Sequence, residues 1–379
     1  MKKFIIVPDS FKGTLTSKQI CEIIRERILV HFPNAETVSL PVADGGEGSV
    51  DSFLSAVQGE RIECEAVNPL FEKMQGFYGV IHSGKTAVIE MAACAGLPLI
   101  ENRKSPLIAS TYGVGLLIKD AISKGVKEII LGLGGSATND FGCGAAAALG
   151  IKFFNGKGES FIPTGGSLSQ VEKIQLRGAD EYFKGVKIIV MCDVKNPVYG
   201  KNGAAYVYAP QKGATEEQVV EIDNGLRHIC DIVKRDLGKD VSELVGGGAA
   251  GGMAGGMYTF FNAELRMGID VVLDTVNFNE MLENADIVIT GEGKIDGQSL
   301  QGKVVAGVAK RAKSKEVPVL VIVGGVEGDI SEIYDMGVNS VFTINRLPED
   351  FSISRHKSEE NLRETVDNII RFLKIKKYS

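Results

Sequence analysis

The 379-residue chain has only four histidines, His31, His82, His228 and His356, and they are scattered. Nothing in their placement resembles the Cys/His spacing of a zinc site. Six cysteines are present, Cys21, Cys64, Cys94, Cys143, Cys192 and Cys230, and none forms a C-x-x-C pair. Scattered thiols in a large chain read as reduced, packed residues of a cytoplasmic protein. No apolar stretch approaches the ~20 residues that a membrane helix needs. Lys2-Lys3 and Phe4–Val7 imitate a leader, but Pro8-Asp9 ends the apolar run too early for one. Positive charge is also in short supply. The 42 basic and 48 acidic side chains leave a formal charge of -6, where a binder of nucleic acid would be basic, so none is expected as a partner. There is no internal repeat and no low-complexity tail.

What is present is glycine, 46 in all. It follows no Gly-X-Y period and gathers after apolar runs, where backbone turns sharply or approaches a ligand. Hydrophobic residues make up 44% and charged residues 24%, which is the profile of a folded soluble chain. At about 100–200 residues per domain, two domains are expected.

The first 60 residues read as β-α-β. Phe4–Val7 is a strand. Thr16 with Gln19 forms a capping box, and Ile20, Ile23, Ile24 and Ile28 recur at helical spacing. Thr37–Leu40 is a second strand. The last hundred residues repeat the rhythm, with strands at Asp286–Thr290, Val319–Val323 and Ser340–Ile344 between helices. Such alternation implies a parallel sheet covered on both faces. The middle mixes a hairpin, Phe77–His82 with Thr86–Met91, with strands at Glu128–Leu131, Lys187–Met191 and Ala205–Tyr208. The expected architecture is α/β with two α/β domains. Residues 1–75 and 285–379 form one, and a mixed domain of residues 76–284 is inserted into it.

Six polar, glycine-rich segments carry candidate chemistry. Five are expected to follow strands: Pro8–Gly13, Ala43–Gly48, Gly132–Asp140, Cys192–Pro197 and Thr290–Asp296. The sixth is Ala209–Gly213. Ligands of open α/β sheets bind beyond the carboxyl ends of strands. Asp9, Asp44, Glu47, Asp140, Asp193, Glu292 and Asp296 supply carboxylates. Lys12, Lys195, Lys212, Lys294 and Lys303 supply cations. Gly134-Gly135-Ser136-Ala137-Thr138 offers backbone N–H groups at an expected helix start, a cradle for phosphate. Magnesium takes one or two carboxylates plus phosphate oxygens. Phosphoryl transfer needs positioning, charge neutralisation and a base. Each loop alone is ordinary turn chemistry; six together point to a ligand site.

Two segments are decoys. Gly79–Thr86 satisfies the P-loop pattern G-x-x-x-x-G-K-[ST], but Ala-Val-Ile-Glu-Met follows it and reads as a strand, which makes Ser83-Gly84 a hairpin turn. Gly297–Lys303 places Val304 where a magnesium-binding hydroxyl belongs, although Lys303 could still point at phosphate from a helix start. Ser136 has no histidine near any site loop, which counts against a serine hydrolase. Gly246–Gly256 reads as a packed glycine-rich turn and helix start beside the ligand site.

Together these segments resemble the bacterial glycerate kinase family, including its glycerate 2-kinases. The resemblance runs nearly end to end. It rests on Asp9-Ser-Phe-Lys-Gly13, Ala43-Asp-Gly-Gly-Glu-Gly48, Gly134-Gly-Ser-Ala-Thr-Asn-Asp140, Asp193-Val-Lys-Asn-Pro197, Pro210-Gln-Lys-Gly213 and Gly291-Glu-Gly-Lys-Ile-Asp296 with Gln298-Ser299. Phe141 stands where the family usually shows glycine, and Gly246 where it often shows proline. The resemblance implies a flavodoxin-like domain and a second, restriction-endonuclease-like domain. It implies ATP-dependent phosphorylation of D-glycerate, favouring the 2-hydroxyl, with ATP and Mg²⁺ as cofactors. On that reading Asp9, Ser10, Lys12 and Asn196 bind substrate. Asp193 is the first choice of base, Asp296 the second, and Lys12 assists. Gly134, Gly135, Ser136, Thr138, Lys212, Glu292 and Lys303 serve the nucleotide, and Asp44 and Glu47 the metal. A kinase of another small hydroxy acid, a kinase forming 3-phosphoglycerate and a non-catalytic sensor of small acids are the competing expectations.

Overall fold

The computed structural model describes residues 2–42, 46, 48–176, 183–296 and 303–375. The chain divides into two compact units. One comprises Met1–Ala43 with Met267–Ser379, and the other Asp44–Arg266.

The first unit is built on a parallel sheet. Its strands are β1 (Lys3–Pro8), β2 (Glu36–Ser39), β12 (Ile287–Ile295), β13 (Val319–Val326) and β14 (Val338–Thr343). They lie in the order β14-β13-β12-β1-β2, and all neighbours are parallel. Counted within the unit, that order is 2-1-3-4-5, the doubly wound flavodoxin-like arrangement. Phe4, Ile5, Ile6 and Val7 are fully buried, as a central parallel strand requires. The helix Ser17–His31 begins with the Thr16–Gln19 capping box. Its Ile20, Ile24 and Ile28 pack in one cluster with Leu362, Val366 and Ile370 of the helix Ser358–Leu373. At the rim of this pair Asp367 accepts from Arg27 at 2.9 Å and faces His31 at 2.8 Å.

The second unit has a six-stranded mixed sheet. Its strands are β3 (Gly59–Val67), β4 (Lys73–Ile81), β5 (Thr86–Glu90), β6 (Glu128–Gly132), β10 (Lys187–Met191) and β11 (Glu264–Arg266), in the order β11-β10-β6-β5-β4-β3. β3, β4 and β5 pair antiparallel, and β5, β6, β10 and β11 pair parallel. A small sheet of β7 (Lys152–Phe154), β8 (Ser160–Phe161) and β9 (Lys173–Gln175) stands apart. Gly79–Thr86 is a hairpin: Ile81 pairs with Thr86, and His82, Ser83 and Gly84 turn the chain at positive φ. No helix follows Lys85, so the segment is not a P-loop.

Three expectations are corrected. The unit boundaries fall at 43/44 and 266/267, not at 75/76 and 284/285. β3 is bonded to β4 along its whole length, and the Val50 N–H donates to Glu90 at 3.2 Å, which holds residues 49–75 to the second unit. Arg311 reaches Asp270 and Asp274, which holds the helix Gly268–Thr275 to the first. Ala205–Tyr208 is not a strand but part of the helix Ala204–Tyr208, in which Ala204 and Ala205 are buried and Tyr206 and Val207 exposed. Thr290–Asp296 is not a loop after a strand, because β12 runs on to Ile295. Its glycines serve close strand approach: a Cβ on Gly291 would lie 2.0 Å from the Ile322 carbonyl oxygen.

Candidate active site

In the second unit, three parallel strands end side by side and their exits line a cavity of about 580 Å³. After β5 the ladder continues one step, with the Met91 N–H donating to the Gly132 carbonyl at 2.9 Å, and Ala92 reaches the cavity. After β6 come Leu133, Gly134, Gly135 and Ser136. After β10 come Cys192, Asp193 and Val194. Tyr208, Gln211 and Lys212 enter from the helix Ala204–Tyr208 and the turn behind it, and Ala249 and Ala250 from the glycine-rich segment. The lining has two characters. Leu97, Pro98, Leu133, Met191 and the three alanines are apolar. Gly134–Ser136, Asp193, Gln211 and Lys212 are polar.

The Gly134–Thr138 loop is not a helix start, as expected from sequence. The helix begins only at Cys143. The loop is instead strapped to its neighbour: the Leu97 N–H donates to the Gly135 carbonyl at 2.8 Å and the Ala137 N–H to the Ala95 carbonyl at 2.8 Å. The glycine-rich segment supports it from behind. Ala250, Gly251 and Gly252 all have positive φ, and a Cβ on Gly251 would fall 2.0 Å from the Thr138 carbonyl oxygen. Only glycine permits that approach.

Two buried charges flank this loop. Lys212 is 1% exposed and its Nζ donates to the Thr138 carbonyl at 2.6 Å. Burial lowers its ammonium from 10.5 to about 7, against the opposing pull of Asp140. Asp140 is fully buried. Its carboxylate accepts from the Thr111 N–H at 2.8 Å, the Thr111 hydroxyl at 2.9 Å, Gly142 at 3.1 Å and Gly144 at 3.2 Å. Burial raises its pKa while these donors oppose the rise. Sequence reading noticed Asp140 only as one carboxylate of its loop and gave it no role.

The structure thus brings Gly134, Gly135, Ser136, Asp193 and Lys212 to one cavity. Thr138 is not among the lining residues: its side chain is fully buried and its carbonyl receives Lys212. Asn196 does not line the cavity either. Its Nδ2 donates to the Asn202 carbonyl at 2.8 Å, and its Oδ1 accepts from the Tyr208 hydroxyl at 2.7 Å. It therefore holds Tyr208, a lining residue that sequence reading missed. Read as a strand, Ala205–Tyr208 does not disclose the helix Ala204–Tyr208 that presents this ring.

The first unit carries a separate group. Asp9 and Ser10 follow β1, at the point where the strand order reverses, and the Ser10 N–H donates to the Asp9 carboxylate at 2.6 Å. The Asp9 N–H continues the ladder to the Gly291 carbonyl at 2.8 Å. Gly293 packs on the backbone of Phe11 and Lys12, where a Cβ would sit 3.2 Å from the Lys12 nitrogen. Glu292 is 5% exposed on β12, Asp296 follows that strand, and Lys303 is exposed at the head of the helix Val304–Ser314. Asp44, Glu47, Gln298 and Ser299 lie outside the described residues. Among the described residues there is no group of three or more His, Cys, Asp or Glu side chains able to hold a metal.

Residues 4–374 match the model of the glycerate kinase family. The chain belongs to the glycerate kinase family. A glycerate kinase of Bacillus cereus is 44% identical over 374 residues, covering 98% of both chains. The glycerate 2-kinase of Escherichia coli is 41% identical over 370 residues, covering 97% of this chain and 95% of its own. A solved Salmonella typhimurium structure assigned as a glycerate kinase 2 superposes with a TM-score of 0.87 at 38% identity, covering 98% of each chain. Members of the glycerate kinase family transfer phosphate to a hydroxyl group, and the cavity's polar lining has groups suited to that chemistry: a glycine-rich loop, a carboxylate and a lysine.

Proposed function

We propose that this chain is an ATP-dependent glycerate 2-kinase that forms 2-phospho-D-glycerate and ADP. The observation that carries this reading is the mixed lining of the second unit's cavity. Its apolar side chains suit a planar base, and its polar groups, the Gly134–Ser136 loop, Lys212 and Asp193, suit phosphates and the reacting hydroxyl. The name of the Escherichia coli relative favours the 2-position. Gly134, Gly135 and Ser136 hold nucleotide phosphates, and Lys212 or Lys303 neutralises the group in transit. Asp193 takes the proton of the glycerate hydroxyl, with Asp296 as the alternative base. As that oxygen bonds to the γ-phosphorus, the bond to the bridging oxygen breaks and ADP leaves. Lys12 and Ser10 receive the substrate carboxylate, and Asp9 is a further substrate-binding residue. Thr138 supports the phosphate loop through its bond from Lys212 and Asn196 through Tyr208, and Glu292 is assigned to the nucleotide.

Mg²⁺ belongs to the same proposal, with Asp44 and Glu47 as its ligands. An ion carried by phosphate needs only one or two protein carboxylates, and it would draw charge from the phosphate oxygens. The cytoplasm is the proposed location. Six free thiols fit a reducing compartment, and among the described residues no helix is long and apolar enough to cross a membrane.

³¹P NMR of the purified protein with Mg·ATP and D-glycerate tests the reading. A glycerate-dependent phosphate ester is expected, with the coupling pattern of a 2-phosphate. A 3-phosphate pattern would reassign the position. No ester from folded protein would reject the substrate and turn attention to other small hydroxy acids, then to a sensor.

A further inference from the structure

We propose that Lys212 acquires its positive charge from ligand binding: a phosphate anion entering the second unit's cavity draws one proton from solvent onto the Lys212 amine. The residue then does two jobs in turn. In the empty cavity it ties down the Gly134–Thr138 loop, and in the filled one it neutralises phosphate. The inference rests on the nucleotide reading of this cavity and deepens it.

The geometry supports it in three ways. First, Lys212 is 1% exposed yet is among the residues that line the cavity, so an anion bound there lies beside a cation that bulk water scarcely reaches. Second, its partner in the empty cavity is a neutral carbonyl, that of Thr138 at 2.6 Å. One N–H suffices for that bond, and an uncharged amine has two. Third, the acid that acts on it, Asp140, is already engaged by four donors from Thr111, Gly142 and Gly144. Asp193, Cys192 and Tyr208 line the same cavity, and Lys104 packs behind on Gly213. Burial outweighs the opposing pull of Asp140 and lowers the ammonium to about 7. A bound phosphate supplies the counter-charge that the empty site lacks.

The sign follows from linkage. Above pH 7 the free protein carries Lys212 mostly as the neutral amine, whereas the complex carries it charged. Binding then takes up a proton, and affinity falls as pH rises, by roughly tenfold per pH unit while one proton is taken up.

Calorimetric titration of ADP into the full chain at pH 8, in two buffers of different ionisation enthalpy, reads the proton directly. ADP is already fully ionised there, since a phosphate's second pKa is about 6. Uptake approaching one proton is expected. Lys212→Arg should bind ADP with no uptake, because guanidinium is always charged. Lys212→Met should bind more than about tenfold more weakly, also with no uptake. Wild-type binding without uptake, or uptake that persists in Lys212→Arg, overturns the proposal and leaves the nucleotide reading standing. Failure of the folded wild-type chain to bind ADP overturns the nucleotide reading itself. Where Lys212→Arg fails to fold, uptake that persists in Lys212→Met overturns the proposal in its place.

Discussion

Phe141 directly follows the Gly134–Asp140 motif and has φ 54°, a left-handed conformation that favours glycine. Glycine is also what the family resemblance expects there. Replacing it with glycine sets two effects against each other. The ring is fully buried and meets Phe260 edge-on at 6.0 Å between centroids. It lies so close to the helix Ala249–Phe261 that a Cβ on Gly252 or Gly255 would come within 3.0 Å and 2.9 Å of it. Truncating such a side chain costs about 3–5 kcal/mol. Leaving the left-handed strain behind returns about 1–2 kcal/mol, of which glycine's larger unfolded-state entropy takes back about 0.5–1 kcal/mol. Packing wins, and Phe141→Gly should be less stable by about 2–4 kcal/mol. At roughly 2–4 °C per kcal/mol for a unit of this size, its melting temperature should fall by about 5–15 °C. Phe141→Ala keeps the strain and loses the ring, so it should melt lower still. Differential scanning calorimetry on the three proteins checks the order. Phe141→Gly melting at or above wild type would refute the reasoning, because backbone relief would then outweigh the packed ring.

The remaining predictions concern activity. Lys12→Ala should raise the glycerate KM by roughly 10- to 150-fold, the equivalent of about 1.5–3 kcal/mol for a charge-assisted bond, and an unchanged KM in steady-state assays would reject the role. Asp193→Asn should lower kcat by about 10²–10⁴; wild-type turnover would pass the base assignment to Asp296. Lys85→Ala should leave ATP affinity unchanged in a titration, since Lys85 sits beside a hairpin turn, and a large loss would restore the P-loop reading.

Features with a local cause were legible in the sequence. The Thr16–Gln19 capping box and the Ser83-Gly84 turn depend only on residues near in sequence, and both are present. The alternation of strands and helices that builds the first unit could be read the same way. What was hidden depends on partners far along the chain. Gly291 resembles a turn glycine until the Ile322 carbonyl is placed against it. The run Ala204–Tyr208 is too short for its period to separate helix from strand, so Tyr208 went unnoticed. Asn196 looks like a ligand side chain in its motif, yet both ends of its amide are engaged by Asn202 and Tyr208. Side-chain hydrogen bonding of this kind leaves no periodic trace.

The first sheet places β1 between β2 and β12, and the hydrogen bond from Thr290 to the Val7 carbonyl spans 283 residues. On the ribosome that distance is time. At about 5–20 residues per second, β12 emerges roughly 15–60 s after β1. Throughout that interval Phe4–Val7 is an apolar strand with one edge unpaired, the kind of template on which neighbouring nascent chains aggregate. The second unit, contiguous in sequence, has all its strands available before β12 is synthesised. Vectorial synthesis therefore keeps the first strand of this sheet waiting for a partner while the whole second unit is made, and a premature stop before residue 287 leaves that edge open permanently.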